Sequence, residues 1–140
     1  MPITILLADK NKTVRKVLRI LLDSDKDLEV IGEAGNGQSV VQMAQALSPD
    51  VVLMDVNFQD LSGMEATEQI LAESPGQKVV ILSLQKNQGF VDRALQAGAK
   101  GYLLKDCAFH ELARAIHAVA RGGTYLSADI QGNGPGSAER

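Results

Sequence analysis

Four residues that could do chemistry stand directly after apolar runs of the sequence. Asp9 follows ITILLA, Asp55 follows VVLM, Ser83 follows VVIL and Lys105 follows YLL. If these runs are parallel strands of one open sheet, their carboxyl ends meet at one edge, where such sheets bind ligands. Two carboxylates, a hydroxyl and an ammonium at that edge suit a metal ion or a phosphoryl group. The pattern therefore predicts one shared polar pocket.

Each of these residues also has an ordinary structural interpretation when it is taken alone. Asp9 could begin a turn, because aspartate bonds the backbone two residues on. Ser83 could be a satisfied hydroxyl at a strand end, and Lys105 a solvated charge. Asp55 fits turn chemistry less well, since it lies between Met54 and Val56. The occurrence of all four at strand ends favours a common site over four coincidences.

The elements that must position these residues alternate between short apolar runs and segments with helical periodicity. Short apolar runs without alternation are typical of parallel strands covered on both faces. The helical segments carry an apolar stripe every three or four residues, and Gly or Pro ends them. Such alternation predicts an α/β fold with right-handed crossovers and helices on both faces of the sheet. The predicted strands are 3–8, 28–34, 51–54, 79–82 and 102–104.

Composition excludes several classes of function. The chain has 140 residues, of which 45% are hydrophobic, and a net charge of -3, so no basic face favours nucleic acid. No apolar run approaches the length of about 18 residues that a membrane span needs. The single Cys107 excludes an internal disulfide. We expect a cytoplasmic domain at residues 1–126 and a flexible Gly/Ser-rich tail or linker at 127–140.

Five motifs lie around these strand ends, in the order LLAD, VVLMDVN, SGME, VVILS and AGAKGYLLKD. Together they resemble the receiver domain of bacterial two-component response regulators over residues 3 to about 126. The endings LLKD and RGGTYLS resemble the NarL/FixJ (LuxR-type) subfamily, whose members usually add a C-terminal helix-turn-helix domain that binds DNA. The resemblance implies a flavodoxin-like (CheY-like) doubly wound sheet of five strands in the order 2-1-3-4-5.

The resemblance also implies a role for each strand-end residue. Asp55 would accept a phosphoryl group from a phosphohistidine on a sensor histidine kinase, so the domain is a switch and not an enzyme. Lys105 would pair with the new charge, and the Ser83 hydroxyl would bond a phosphoryl oxygen. Tyr102 would then swing inward into the space that the Ser83 loop leaves. The outer face of strand five and the last two helices would mediate self-association.

Lys10 is a departure from the family pattern at the metal site. The resemblance implies that Mg²⁺ is held by Asp9, Asp55 and the backbone carbonyl of Asn57, with a second acidic residue next to Asp9. Here that position is Lys10. Two unit charges about 4 Å apart interact by roughly 4 kcal/mol at an effective dielectric of about 20, and an ammonium in place of a carboxylate turns attraction for the metal into repulsion. Either the lysine reaches into water, or its ammonium replaces the metal between the two aspartates.

Three other interpretations stay open at this point. A pseudo-receiver would keep the fold as a binding module without phosphorylation. A haloacid-dehalogenase-like phosphatase would use Asp9 as its nucleophile, but Asn11 stands where that family needs a second aspartate. A flavodoxin would need a Ser/Thr/Gly-rich phosphate loop after strand one, and the segment KNK is charged instead.

Overall fold

A six-stranded parallel sheet flanked by five helices forms the centre of the molecule. The computed structural model describes residues 2–127 and 130, with the side chains of residues 107–110 excepted. The strand order is β2-β1-β3-β4-β5-β6, which confirms the predicted fold and adds one strand. The strands are β1 (Ile3–Ala8), β2 (Leu28–Ala34), β3 (Val51–Asp55), β4 (Lys78–Ser83), β5 (Gly101–Leu104) and β6 (Tyr125–Leu126).

The helices cover both faces of this sheet. They are α1 (Lys12–Asp23), α2 (Gly37–Leu47), α3 (Gly63–Glu73), α4 (Gln88–Gln96) and α5 (Ala108–Ala120), and a 3₁₀ turn at Lys105–Cys107 precedes α5. Successive strand residues point to opposite faces, so each strand feeds two cores. On β1, Leu6 packs toward one core and Leu7 toward the other. All five residues of β3 are buried, because β3 is central and covered on both sides.

Strand register brings the four polar strand ends to one edge. Ala8 pairs with Met54, so Asp9 is level with Asp55. Asp55 in turn pairs with Leu82, and Ser83 pairs with Leu104, the residue before Lys105. The four residues therefore lie within about two residues of one level along the strands, or roughly 7 Å.

Helix α1 buries only part of its apolar surface against the sheet. Leu18 and Leu22 are buried, whereas Val17 is 43% exposed and Ile20 is 61% exposed. The side chain of Asn11 caps the helix by accepting hydrogen bonds from the N–H groups of Thr13 and Val14. The cap sets where the helix begins, and so which of its residues face the sheet.

The C-terminal segment departs from the prediction. Tyr125 and Leu126 form β6 against β5, where the sequence predicted the end of the domain. Ser127 and Ile130, which fall in the predicted flexible tail, are 0% and 1% exposed. The rest of that predicted tail, residues 128–129 and 131–140, lies outside the described residues. Packing thus continues beyond residue 126. The sequence did not reveal this strand, because two residues give too little periodicity for a pattern to be detected.

Within the described part of the chain, none of the helices has the length and apolar character that crossing a membrane requires.

Candidate functional site

The ammonium of Lys105 lies between the carboxylates of Asp9 and Asp55. Its Nζ is 3.2 Å from Asp9 Oδ2 and 2.9 Å from Asp55 Oδ1. Asp9 and Asp55 are 1% and 2% exposed, so both carboxylates lie in the interior at the end of the sheet. The structure thus brings together three of the strand-end residues that the sequence singled out.

This pocket has more negative charge than positive charge. Two carboxylates share one ammonium, so the three side chains carry a formal net charge of minus one. Asp55 Oδ1 is close to Lys105, but the pair lacks hydrogen-bond geometry, and this buried oxygen has no hydrogen-bond partner among the described residues. Burial alone would lower the pKa of Lys105, but the two carboxylates beside it, Asp55 and Asp9, outweigh burial and raise the pKa. The lysine is therefore held in its charged form.

The side chain of Lys10 does not lie between the two aspartates, which was one of the two arrangements that the sequence left open. Its side chain is exposed and makes no hydrogen bond or ion pair with the described residues. The loop closes instead through Asn11, whose N–H donates to Asp9 Oδ1 at 2.9 Å. With that turn formed, the lysine side chain extends into water. Lys105 is the residue that bridges the two aspartates.

Arg15 supports the pocket from outside, and the sequence gave no sign of it. Its Nη1 donates to the backbone carbonyl of Asp9 at 2.6 Å, while its Nε pairs with Glu33 at 3.1 Å. Arg19 pairs with the other oxygen of Glu33. A hydrogen bond from Arg19 lowers the pKa of Glu33, and a second one from Arg15 lowers it further. Burial raises the pKa, but the two arginines outweigh it. A charged face of α1 thereby fixes the end of β1 against β2.

Ser83 and Tyr102 are joined through the loop that follows β4. The Ser83 Oγ accepts the N–H of Gln85 at 3.0 Å, and the Tyr102 hydroxyl donates to the carbonyl of Gln85 at 2.8 Å. Tyr102 is 0% exposed, and burial raises the pKa of its phenol. The ring of Tyr102 lies inside in this structure, and its inward movement on phosphorylation stays a prediction.

The loop after β3 is fastened at two points. The N–H of Asn57 donates to Asp55 Oδ2 at 3.3 Å, so the structure places the backbone amide of Asn57 beside the aspartate. The carboxylate of Asp60 accepts the N–H groups of Gly37 and Gln38 at the start of α2. These hydrogen bonds lower the pKa of Asp60. They fasten the loop after β3 to the start of α2.

Comparison with known proteins identifies this arrangement. Residues 5–117 match the response regulator receiver domain. The chain is 42% identical over 120 residues to the uncharacterized transcriptional regulatory protein YxjL of Bacillus subtilis, covering 86% of this chain and 55% of that protein. The chain belongs to the response regulator receiver domain family.

Further relatives of this receiver domain agree with the NarL/FixJ subfamily. The nitrate/nitrite response regulator NarL of Escherichia coli is 36% identical over 126 residues, which are 90% of this chain and 58% of that protein. A LuxR-family two-component response regulator of Aurantimonas superposes with a TM-score of 0.92 and 29% identity, covering 99% of this chain and 97% of the other. The chain thus spans little more than half the length of the curated relatives it matches.

The close approach of α3 to Asp55 depends on Gly63. A Cβ atom there would lie 2.7 Å from the Asp55 carbonyl oxygen and 2.7 Å from Val56 Cα. Backbone atoms cannot move aside cheaply, so Gly63→Ala should lower the free energy of unfolding by about 1–3 kcal/mol in urea denaturation.

Gly76→Ala is the matched control, because a Cβ atom there meets nothing within 4 Å. It should change the free energy of unfolding by less than about 1 kcal/mol, and any change should be an increase. Equal effects of the two substitutions would show that α3 does not press on the end of β3.

Proposed function

We propose that this receiver domain takes a phosphoryl group on Asp55 from the phosphohistidine of a sensor histidine kinase. The observation that carries the proposal is the buried Asp55 carboxylate, whose Oδ1 has no hydrogen-bond partner among the described residues and faces the Lys105 ammonium. An oxygen with free lone pairs in a buried pocket can act as a nucleophile. The cation beside it can stabilise the charge of the incoming group.

The proposed transfer is a displacement at phosphorus. Asp55 Oδ1 forms the new P–O bond while the P–N bond to the imidazole breaks, and the imidazole leaves with the bonding electron pair. Lys105 would pair with a phosphoryl oxygen at the position where it now contacts both aspartates. The Ser83 hydroxyl, which already accepts the N–H of Gln85, still has its own proton to donate to a second phosphoryl oxygen.

The residues present fit a magnesium ion, though with one ligand fewer than the family pattern. Asp9 and Asp55 offer oxygens at the same pocket, and their charge exceeds that of Lys105 by one unit. The backbone carbonyl of Asn57 would complete the protein ligands, and water the rest. When bound, magnesium supplies positive charge for the phosphoryl oxygens. The exposed Lys10 contributes no ligand atom to it.

The output that we propose remains self-association through α4 and α5, with one change from the sequence prediction. Strand β6 pairs with β5, so the edge of β5 is already occupied within the chain. The open parts of the predicted face are therefore the two helices. By analogy with the longer relatives, a DNA-binding domain would carry out the response in the full-length regulator.

Asp55→Asn should abolish covalent labelling when the protein is incubated with acetyl phosphate and magnesium. Amide nitrogen cannot act as the nucleophile, so intact mass should show no addition of a phosphoryl group. Asp60→Asn, which alters an exposed carboxylate in the same loop, should still be labelled. Label on Asp9, or undiminished label in Asp55→Asn, would contradict the assignment.

Lys10→Asp should tighten magnesium binding by roughly tenfold to a hundredfold, measured by calorimetric titration. Because Lys10 is exposed, its repulsion of the metal is nearer to about 1 kcal/mol than 4. Restoration of a carboxylate ligand is the larger part of the gain.

Lys12→Asp makes the same charge change on another exposed lysine, two residues away. It should improve magnesium affinity much less, because it adds no ligand at the pocket. If the two variants bind magnesium equally well, general electrostatics explains the effect and the position beside Asp9 has no special role.

A further inference from the structure

The edge of β5 is covered by four residues that follow α5. We call Tyr125, Leu126, Ser127 and Ile130 the strap. Tyr125 pairs with Gly101 and Leu126 with Tyr102 in parallel register. The N–H of Tyr125 donates to the Lys100 carbonyl at 3.0 Å. Two paired residues make a very short strand, so other contacts must hold the strap in place.

Ser127 supplies two of those contacts and is itself 0% exposed. Its N–H donates to the backbone carbonyl of Tyr102 at 3.0 Å. Its Oγ accepts the N–H of Leu104 at 2.8 Å. When the strap is docked, these backbone groups of β5 are covered and need hydrogen-bond partners, which Ser127 provides. The strap and β5 therefore stabilise each other.

Apolar packing links the strap to the ring of Tyr102. Leu126 and Ile130 belong to the same core cluster as Tyr102, on the face of the sheet covered by α4. Tyr102 therefore contacts the strap through its backbone and shares a core with it through its side chain. Its hydroxyl, at the far end of the ring, is bonded to the carbonyl of Gln85.

A continuous series of contacts thus runs from the phosphoacceptor pocket to the strap. Ser83 binds the N–H of Gln85, the Gln85 carbonyl binds the Tyr102 hydroxyl, and the Tyr102 backbone binds Ser127. We propose that the β5 edge is a docking surface for the strap, and that its occupancy is coupled to the buried position of Tyr102. A ring that left the interior would remove support from beneath Leu126 and Ile130.

The direction of the coupling follows from the hydroxyl of Ser83. A phosphoryl group on Asp55 that accepts this O–H holds the loop in the arrangement that also binds Tyr102. Phosphorylation therefore strengthens docking of the strap, and the segment after α5 reports the state of the pocket. This step rests on the proposed function of Asp55, whereas the coupling between Tyr102 and the strap does not.

Amide hydrogen exchange on the full chain tests the coupling without any phosphodonor. Tyr102→Phe removes the hydroxyl bond to Gln85 and leaves the ring. We expect the Ser127 N–H to exchange about tenfold faster, while the N–H of Leu53 in the central strand is unchanged. Thr67→Val is the control, because it removes another buried hydroxyl bond, from Thr67 to the Gly63 carbonyl. It should leave exchange at Ser127 as in the wild type.

The reciprocal variant keeps the test decisive if Tyr102→Phe folds poorly. Ile130→Ala should speed exchange of the Gln85 N–H, since coupling between two sites acts in both directions. Exchange at Ser127 that is unaffected by Tyr102→Phe, or at Gln85 that is unaffected by Ile130→Ala, would overturn the proposal. An increase matched at Leu53 would also overturn it, because that result reports global unfolding.

The link to phosphorylation is measured with beryllium trifluoride, a stable mimic of the phosphoryl group, in the presence of magnesium. Slower exchange of the Ser127 N–H on binding supports the proposed direction. Binding at Asp55 without a change at Ser127 would overturn it. If the mimic does not bind, the proposed function of Asp55 fails, and the two substitutions above still decide whether Tyr102 and the strap are coupled.

Discussion

The ion pairs that Lys105 makes with Asp9 and Asp55 are the interaction on which the rest of the site depends. They join the carboxyl ends of β1, β3 and β5, which come from distant parts of the chain. Removing two carboxylates from water is costly, and one ammonium offsets only part of that cost. The pocket is therefore folded in a state that additional positive charge would stabilise. Phosphoryl chemistry supported by a metal ion is consistent with that state.

Two layers of structure keep the pocket in place. On one side, the Asn11 N–H and the Arg15 guanidinium hold the end of β1. On the other side, Gly63 allows α3 to begin against the backbone of Asp55. The loop after β4 connects the pocket to Tyr102 and the sheet edge, because Gln85 is hydrogen-bonded to both Ser83 and Tyr102. The site and the proposed output surface are thus parts of one packed core, in which small changes cannot be absorbed locally.

The sequence predicted the fold and the strand-end residues because both follow from local patterns. Short apolar runs marked the five long strands, and parallel register then placed Asp9, Asp55, Ser83 and Lys105 at one edge without further information. The sequence alone could not predict which lysine bridges the two aspartates. Lys10 is next to Asp9 in sequence, but a turn closed by Asn11 directs it to solvent, whereas Lys105 arrives from a distant strand.

Other features depended on contacts between distant residues of small or polar type. Arg15 and Glu33 look like ordinary surface charges until α1 and β2 are placed side by side. Ser127 lies in a Gly- and Ser-rich stretch whose composition indicates a linker, yet its hydroxyl oxygen accepts a hydrogen bond from the backbone N–H of Leu104 on β5. Composition describes the average of such a stretch, and a single long-range hydrogen bond is not visible in it.

The central claim, that two carboxylates facing one ammonium leave the pocket with a destabilising excess of negative charge, is tested most directly by the stability of Asp55→Asn. With magnesium removed by a chelator and at low ionic strength, the account predicts that this variant has a higher free energy of unfolding than the wild type by roughly 1 kcal/mol, because Asp9 and Lys105 then form a neutral pair. Added magnesium should reduce or reverse the difference, since the metal stabilises the wild type more. If Asp55→Asn is less stable than the wild type in the absence of magnesium, the two carboxylates are not in excess and the account is contradicted.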